Sequence, residues 1–263
     1  MDLGLRDKIA IVAASSQGLG RAVAFGLARE GAKLALCSRN ADAVGAVAEQ
    51  IQKETGVETF AAPVDVTREQ DVRAFVNQTA AKFGRVDICV TNAGGPPAKP
   101  FDATTTEEWR RAIDLNLMSA LFFAHAVLPR MCAQRWGRLI TITSLTVKQP
   151  VDGLILSNSV RAAVAGLVKS LANEYGPHNV LVNNVCPGYT ATDRLVDLSS
   201  TLAKSAGVAP AEIEKRWTSQ IPLGRLADPR EFADTVVYLC SERASYITGQ
   251  SIAIDGGFAR GLL

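Results

Sequence analysis

The sequence predicts an α/β fold with a doubly wound parallel sheet. Short apolar runs alternate with helical patterns along the chain, and this alternation is typical of βαβ units covered by helices on both faces. The first run, over residues 9–13, breaks into a small glycine-bearing turn and is followed at once by a helical pattern. With 263 residues, 48% of them hydrophobic, the chain suits one large domain with a sizeable core. We therefore expect residues 1–263 to form a single domain.

Composition and charge argue against several classes of protein. A formal net charge of +2 gives no reason to expect a nucleic-acid partner. Five cysteines without paired spacing suit reduced thiols, and two histidines without a Cys-x-x-Cys motif do not favour a metal site. The first six residues lack the build of a signal peptide, and no apolar run approaches the roughly 18 residues of a membrane helix. We expect a cytoplasmic protein with no membrane partner and no metal.

The apolar run 9–13 and the turn after it have the pattern of a strand that leads into a helix. Leu19, Val23 and Leu27 recur at helical spacing, and Gly31 supplies a left-handed stop. This order leaves unpaired backbone N–H groups at the positive end of the helix, where a pyrophosphate can lie. Small residues also occur in ordinary turns, so the turn by itself leaves a purely structural role open.

The later elements follow in regular order. Further strands are predicted at 33–37, 57–62, 86–91, 139–143, 180–185 and 251–254, which gives about seven in total. Helices are predicted over 44–51, 72–83 and 156–175. Two capping boxes, Thr67 with Gln70 and Thr105 with Glu108, mark helix starts, and the second opens a long helix toward Pro129. The order of units is that of a Rossmann-type fold.

The strand and helix patterns weaken between Pro187 and Pro222. Long, loosely patterned inserts in compact domains are often lids or substrate loops, so we interpret residues 189–220 as a lid-like substrate insert. Its apolar residues, with Trp217, favour a partly hydrophobic ligand.

A series of ordered motifs covers essentially the whole chain. They are the turn from Ala14 to Gly20, Asp65-Val66, Asn92-Ala93-Gly94, Asn116, Ser144, Pro187-Gly188 with Thr190 and Thr192, Pro222-Leu223-Gly224-Arg225, Ile247-Thr248-Gly249-Gln250 and Asp255-Gly256-Gly257. Through them the chain resembles the short-chain dehydrogenase/reductase family, and within it the 3-oxoacyl-acyl-carrier-protein reductase-like branch. The resemblance implies an oxidoreductase that transfers hydride between a nicotinamide cofactor and a small carbonyl or alcohol substrate, and it implies a homotetramer.

The resemblance also implies a cofactor pose. The glycine-bearing turn would meet the pyrophosphate, Asp65 and Val66 the adenine, and the 92–94 turn the adenosine side, while Thr190 and Thr192 would reach the nicotinamide carboxamide. The cofactor-binding residues are Ser15, Gln17, Gly18, Leu19, Gly20, Ser38, Arg39, Asp65, Val66, Asn92, Ala93, Gly94, Arg161, Pro187, Gly188, Thr190 and Thr192.

The end of the second strand bears on the choice of cofactor. It has no acid to bind a free ribose 2′-hydroxyl, whereas Ser38 and Arg39 could hold a 2′-phosphate. We therefore favour NADP(H) over NAD(H), with a merely solvated Arg39 as the alternative.

The chain departs from the family pattern at the start of the phosphate turn. The family opens this turn with Thr-Gly, whereas this chain has Ala13-Ala14. Alanine is small enough to pass the pyrophosphate only if the local φ is negative. Nucleotide binding is therefore either weakened or unchanged.

A second departure falls on the catalytic group, which in the family consists of asparagine, serine, tyrosine and lysine. Asn116 and Ser144 match the first two. Counting thirteen residues from Ser144, and then four more, leads to Ser157 at the tyrosine position and Arg161 at the lysine position. A serine hydroxyl is much less acidic than a tyrosine, and the charge of an arginine is fixed.

Three interpretations follow from the missing Tyr-Lys pair. In the first, the protein is an oxidoreductase in which Ser144 and Ser157 bind the carbonyl oxygen and the proton comes from water, Lys148 or Tyr189. In the second, it is a catalytically weak or inactive nucleotide-binding protein with a regulatory or scaffold role. In the third, it catalyses a different reaction, such as a dehydration or an isomerisation.

Overall fold

The computed structural model describes residues 1–262. Within them one parallel sheet has seven strands in the order β3-β2-β1-β4-β5-β6-β7. The strands are β1 (Ile9–Ala13), β2 (Lys33–Ser38), β3 (Thr59–Pro63), β4 (Ile88–Thr91), β5 (Gly137–Ile142), β6 (Val180–Pro187) and β7 (Ser251–Ile254). This order confirms the doubly wound Rossmann-type fold, whose direction reverses between β1 and β4.

Helices cover both faces of the sheet. They are α1 (Gly18–Arg29), α2 (Ala41–Thr55), α3 (Glu69–Phe83), α4 (Thr106–Ile113), α5 (Ser119–Gln134), α6 (Ile155–Tyr175), α7 (Asp193–Ala206), α8 (Pro210–Gln220) and α9 (Pro229–Cys240). The core on one face joins the sheet to α1, α2 and α9, and the core on the other joins it to α3, α5 and α6. Strands covered on both faces are apolar throughout, as β1 is, which explains why short apolar runs marked them in the sequence.

One of the two predicted capping boxes forms and the other is wrong. The Thr105 hydroxyl accepts from the backbone N–H of Glu108, and the Glu108 carboxylate accepts from the backbone N–H of Thr105. Thr67 instead donates its hydroxyl and its backbone N–H to Asp65 Oδ1, at 2.7 and 3.0 Å. Because the Thr67 side chain is turned toward Asp65, α3 begins at Glu69, one residue later than a Thr67 N-cap would place it, behind an Arg68 N-cap without a side-chain bond.

Helices α4 and α5 are joined by a π-helical segment at Asp114–Met118, so that together they form one long helix over Thr106–Gln134. This helix continues past Pro129, where the sequence predicted its end. By length and composition alone it could cross a membrane, with a mean hydropathy of 1.4. It packs against α3 and α6, and this packing accounts for an apolar face. Core helices of soluble proteins can be equally long and apolar. The absence of a membrane partner stays a prediction.

Residues 189–220 contain two regular helices, α7 and α8, rather than an irregular loop. They form a small apolar cluster of their own with Leu145 and Phe258. The sequence pattern was weak here because most residues of these helices are exposed and only a few, such as Ile213 and Trp217, are buried. The lid role of the segment stays a prediction.

Candidate active site

The turn between β1 and α1 is tight and leaves backbone donors free. The N-cap of α1, Gln17, makes no side-chain bond, so the first N–H groups of α1 face the turn without a side-chain acceptor. A Cβ on Gly20 would lie 2.4 Å from the carbonyl oxygen of Ala14, so only glycine fits there. Ser15 is fully buried, and its hydroxyl lies 3.4 Å from the Cys37 carbonyl oxygen, which directs it to β2.

Ala14 has a φ of +49°, which lies in the left-handed region. Alanine was expected to replace the family's glycine without cost only at a negative φ. Ala14 does not meet this condition. An L-residue in this region costs about 1–2 kcal/mol. The turn keeps the shape that glycine would give it, and it carries that strain.

The ends of β2 and β3 carry the residues that the sequence predicts for the adenosine side of the cofactor. Ser38 is buried and donates its hydroxyl to the Asn40 carbonyl at 2.9 Å, while Arg39 is exposed. The hydrogen bond from the Thr67 hydroxyl holds the pKa of Asp65 below its usual range, with smaller contributions from Arg39 and Arg68. Arg39 is thus close enough to influence Asp65 and is available to an anion.

The residues at the start of the insert connect it to this crevice. Thr192 Cγ2 lies 3.7 Å from the position of a Cβ on Gly18, which sets the beginning of α7 against the phosphate turn. Thr190 and Thr192 direct their hydroxyls at backbone carbonyls of their own segment, at 3.5 and 3.4 Å. A Cβ on Gly188 would lie 2.6 Å from Asp255 Cα, so this glycine serves the close packing of β6 against the segment after β7.

The loop after β5 links Ser144 to Ser157 through Thr146. Ser144 Oγ accepts from the backbone N–H of Thr146 at 3.2 Å, and the Thr146 hydroxyl lies 3.1 Å from the Ser157 hydroxyl. Ser157 and Thr146 are both buried, whereas Ser144 is partly exposed. Sequence reasoning found Ser144 and Ser157 but missed Thr146, because a threonine two residues after a serine carries no signal until the loop is folded.

Arg161 lies one turn after Ser157 on α6 and joins the end of β5 to the loop after β4. Its Nη1 donates to the Ile142 carbonyl at 2.9 Å, and its Nη2 to the Gly94 carbonyl at 3.5 Å. Its side chain is buried, and its Nε has no hydrogen-bond partner among the described residues. Burial, with a smaller effect of Arg194, lowers the pKa of Arg161 to about 10, so it is still charged at neutral pH.

Asn116 sits in the π-helical segment of the long helix. Its Nδ2 donates to the Ala112 carbonyl at 3.1 Å, while its buried Oδ1 has no partner in the part of the chain described. A side-chain amide that bonds back to the preceding turn accounts for the local widening. Like Arg161 Nε, Asn116 Oδ1 is a buried polar atom without a hydrogen-bond partner in this region.

The two candidate proton donors lie in different settings. Tyr189 stacks on Trp217 with ring centroids 4.8 Å apart and meets the edge of Phe258 at 5.2 Å. Burial raises the pKa of Tyr189 to about 12, which makes it a poorer acid. Lys148 is partly exposed. Burial raises the pKa of the Cys186 thiol, and the positive charge of Lys148 opposes this with a smaller effect. Of the two, the packing argues against Tyr189.

A pocket of about 520 Å³ opens beside this aromatic cluster. Tyr189, Trp217 and Phe258 contribute its aromatic side. The remaining lining residues come from the loop after β5 and from the insert: Gln149, Pro150, Val151, Asp152, Leu202, Ser205, Ala206, Ile213, Arg216 and Gln220. This volume suits a small organic molecule. In residues 1–262 there is no cluster of three His, Cys, Asp or Glu side chains that could hold a metal ion.

The sheet order, the tight turn before α1 and the polar groups at the strand ends define a dinucleotide-binding oxidoreductase fold. A family model described as Enoyl-(Acyl carrier protein) reductase matches residues 13–259. The 3-oxoacyl-[acyl-carrier-protein] reductase of Aquifex aeolicus is 34% identical over 98% of this chain and 99% of its own. The 7alpha-hydroxysteroid dehydrogenase of Escherichia coli is 34% identical over 97% of this chain and 96% of its own.

Solved structures agree with these sequence matches. L-sorbose reductase from Gluconobacter frateurii, complexed with NADPH and L-sorbose, has a TM-score of 0.94 and 32% identity, with 100% of both chains covered. The chain belongs to the short-chain dehydrogenase/reductase family and is similar to its 3-oxoacyl-acyl-carrier-protein reductases. It is an oxidoreductase of the class that uses a nicotinamide cofactor.

Proposed function

We propose that this protein is a reductase that transfers hydride from NADPH to a small carbonyl substrate, through a site in which Ser157 and Arg161 take the places of tyrosine and lysine. The observation that carries the proposal is the placement of Arg161. Its guanidinium bonds to the end of β5 and to Gly94 in the loop after β4, and Arg161 lies one helical turn from Ser157. A fixed positive charge one helical turn from Ser157, bonded two residues before Ser144, suits a carbonyl oxygen that becomes negative during reduction.

The residues present fit a nicotinamide cofactor. Gly20 lets the turn fold tightly onto the Ala14 carbonyl, and the first N–H groups of α1 have no side-chain acceptor from the N-cap. No atom lies within 4 Å of a Cβ built on Gly94, so the strand-exit turn is open on that side. Ser38 and Arg39, with no acid at the end of β2, favour NADP(H) over NAD(H). Solved relatives include both cofactors, since L-sorbose reductase was solved with NADPH and 7alpha-hydroxysteroid dehydrogenase with NADH, so the preference rests on the residues at the end of β2.

In this mechanism the bound cofactor supplies the hydride, and the chain positions and stabilises the oxygen. Ser144 and Ser157 donate to the carbonyl oxygen, and Thr146 fixes the rotamer of Ser157. Arg161 stabilises the charge that develops on that oxygen, and water delivers the proton. Because an acid matched to the reaction contributes about 10²–10⁴ in rate, we expect slow turnover.

The second candidate is a nucleotide-binding protein with a regulatory or scaffold role. One observation favours it: the Ser157 hydroxyl is already paired with Thr146, so it is less available to a substrate. Both candidates share the cofactor site, and turnover separates them.

The test begins with titrations of the purified protein with NADPH and NADH. NADPH oxidation is then followed with short 3-oxoacyl thioesters and reactive diketones. Tight NADPH binding with turnover that falls in Ser144→Ala establishes the reductase. Binding without turnover across the panel supports the second candidate, and binding of neither nucleotide contradicts both. Sedimentation of the same sample tests the proposed homotetramer, which a monomer at micromolar concentration would contradict.

A further inference from the structure

Tyr189 carries a polar group that the reduction does not use. Its side chain lines the pocket of about 520 Å³ and is only 9% exposed. The ring is fixed by its stack on Trp217 and by the edge of Phe258. Its hydroxyl makes no hydrogen bond to any residue in 1–262, yet it is not one of the polar atoms sealed inside the protein. Since buried polar groups are ordinarily paired, this hydroxyl is available to a molecule in the pocket.

The hydrogen-bonding groups of the pocket wall favour an acceptor on the bound molecule. Burial raises the pKa of Tyr189 to about 12, so the hydroxyl keeps its proton at neutral pH and can donate it. Gln149, which also lines the pocket, accepts the backbone N–H of Arg260 at 2.9 Å through its Oε1. This bond leaves the amide nitrogen of Gln149, which is a donor, for the pocket. An oxygen that accepts hydrogen bonds suits both groups.

The rest of the pocket wall favours an uncharged, mainly apolar molecule. Among the described lining residues the only charged ones are Asp152 and Arg216, and their opposite charges cancel. The buried side chains of Ile213, Trp217 and Phe258 supply apolar and aromatic surface. Aromatic side chains pack well against a flat ring, and a pocket of this volume accommodates one with its substituents.

The pocket adjoins the two serines expected to bind the carbonyl oxygen. Leu145, the residue after Ser144, belongs to the apolar cluster that contains the aromatic side of the pocket. Asn158, the residue after Ser157, bonds to the backbone of Val151 in the pocket wall at 3.0 and 3.2 Å. A substrate with its carbonyl at the serines therefore extends its remaining part into this pocket.

We propose that Tyr189 is a specificity residue whose hydroxyl donates a hydrogen bond to a second oxygen of the substrate, carried on the apolar part that fills the pocket. The substrates of this protein are then uncharged ring compounds with a carbonyl or hydroxyl oxygen apart from the carbonyl that is reduced. The proposal rests on the proposed function, and it names the substrate class of that site.

The test compares two ketones of nearly the same outline that differ in one oxygen. They are para-diacetylbenzene, which has a second carbonyl oxygen, and para-isopropylacetophenone, which has none. Each is titrated by calorimetry into the protein saturated with NADP⁺, with which a ketone cannot react. We expect the diketone to bind about fivefold or more tightly, which exceeds the factor of about two that its two equivalent carbonyls give. Tyr189→Phe keeps the stacked ring and should remove this excess.

Tyr246→Phe is the matched control, because Tyr246 is fully exposed, and it should leave the preference unchanged. Circular dichroism checks that both variants fold. Equal binding of the two ketones, or binding of neither at about 1 mM, overturns the proposal. A preference that persists in Tyr189→Phe also overturns it, because another group would then bind the second oxygen. A failure of NADP⁺ to bind contradicts the proposed function instead, and the two ketones are then compared on the nucleotide-free protein.

Discussion

The end of the molecule that binds phosphate and the end that carries the reacting groups have diverged to different degrees. At the first, the turn into α1 has Gly18 and Gly20, as the family pattern does, and Ala14 holds a left-handed backbone with a φ of +49°. At the second, the side chains at both the tyrosine and the lysine positions differ from the family pattern, and the Ser157 hydroxyl is paired with Thr146. The phosphate end thus departs from the family through one strained backbone position, whereas the reaction end departs from it through side-chain chemistry.

The largest effect is expected for Gly20→Ala, which tests the phosphate end. The added Cβ would lie 2.4 Å from the Ala14 oxygen, so the turn must move and its N–H groups lose their alignment. We expect NADPH affinity to fall about 100-fold or more, measured by fluorescence titration. Gly45→Ala in α2, where nothing lies within 4 Å, is the control and should leave affinity unchanged. Unchanged affinity in Gly20→Ala would show that the diphosphate binds elsewhere.

The next effect tests the reaction end through Arg161→Met. Methionine removes the charge but keeps an unbranched side chain, so kcat/KM for carbonyl reduction should fall about 10²-fold. The dissociation constant of NADPH should change far less, because the diphosphate site is separate. Arg161→Lys should recover part of the rate. Equal losses of affinity and rate would contradict the separation of the two ends, and circular dichroism checks that the variants fold.

A smaller effect is expected from Thr146→Val, which removes the partner of Ser157 at nearly constant volume. We expect kcat to fall about tenfold with little change in KM, because the Ser157 hydroxyl loses its fixed orientation. Thr146→Ser should restore the rate. Thr79→Val, which removes a buried hydroxyl bonded to Phe75 within α3, should have no effect on kcat. If kcat is unchanged in Thr146→Val, Thr146 is not a positioning residue.

The smallest effect tests the strain at the phosphate end through Ala14→Gly. Glycine tolerates a φ of +49°, so the free energy of unfolding should rise by up to about 1 kcal/mol. Urea denaturation measures this change. Ala13→Gly, in β1 immediately before it, should instead destabilise the protein. A loss of stability in Ala14→Gly would mean that the turn holds no such strain.

The strands and most helices could be predicted from the sequence because burial on two faces makes each strand an apolar run. The assignment of Ser157 and Arg161 to the tyrosine and lysine positions follows from counting along the family pattern from Ser144, and it stays a prediction. Other features depend on contacts that no local pattern records. Examples are the hydrogen bond from Thr67 to Asp65 and the contact of Thr146 with Ser157 across a loop. A third is the bond from Arg194 to the loop after β4, about a hundred residues away in sequence.

The backbone around Asp255 is packed so closely against Gly188 that the end of the chain forms part of the pocket wall. Phe258 faces Tyr189, and the backbone N–H of Arg260 donates to Gln149 at 2.9 Å. During synthesis on the ribosome the phosphate turn emerges first, and the wall that confronts the substrate emerges after almost everything else. Because the residues expected to hold the cofactor run only to Thr192, this wall is completed after them.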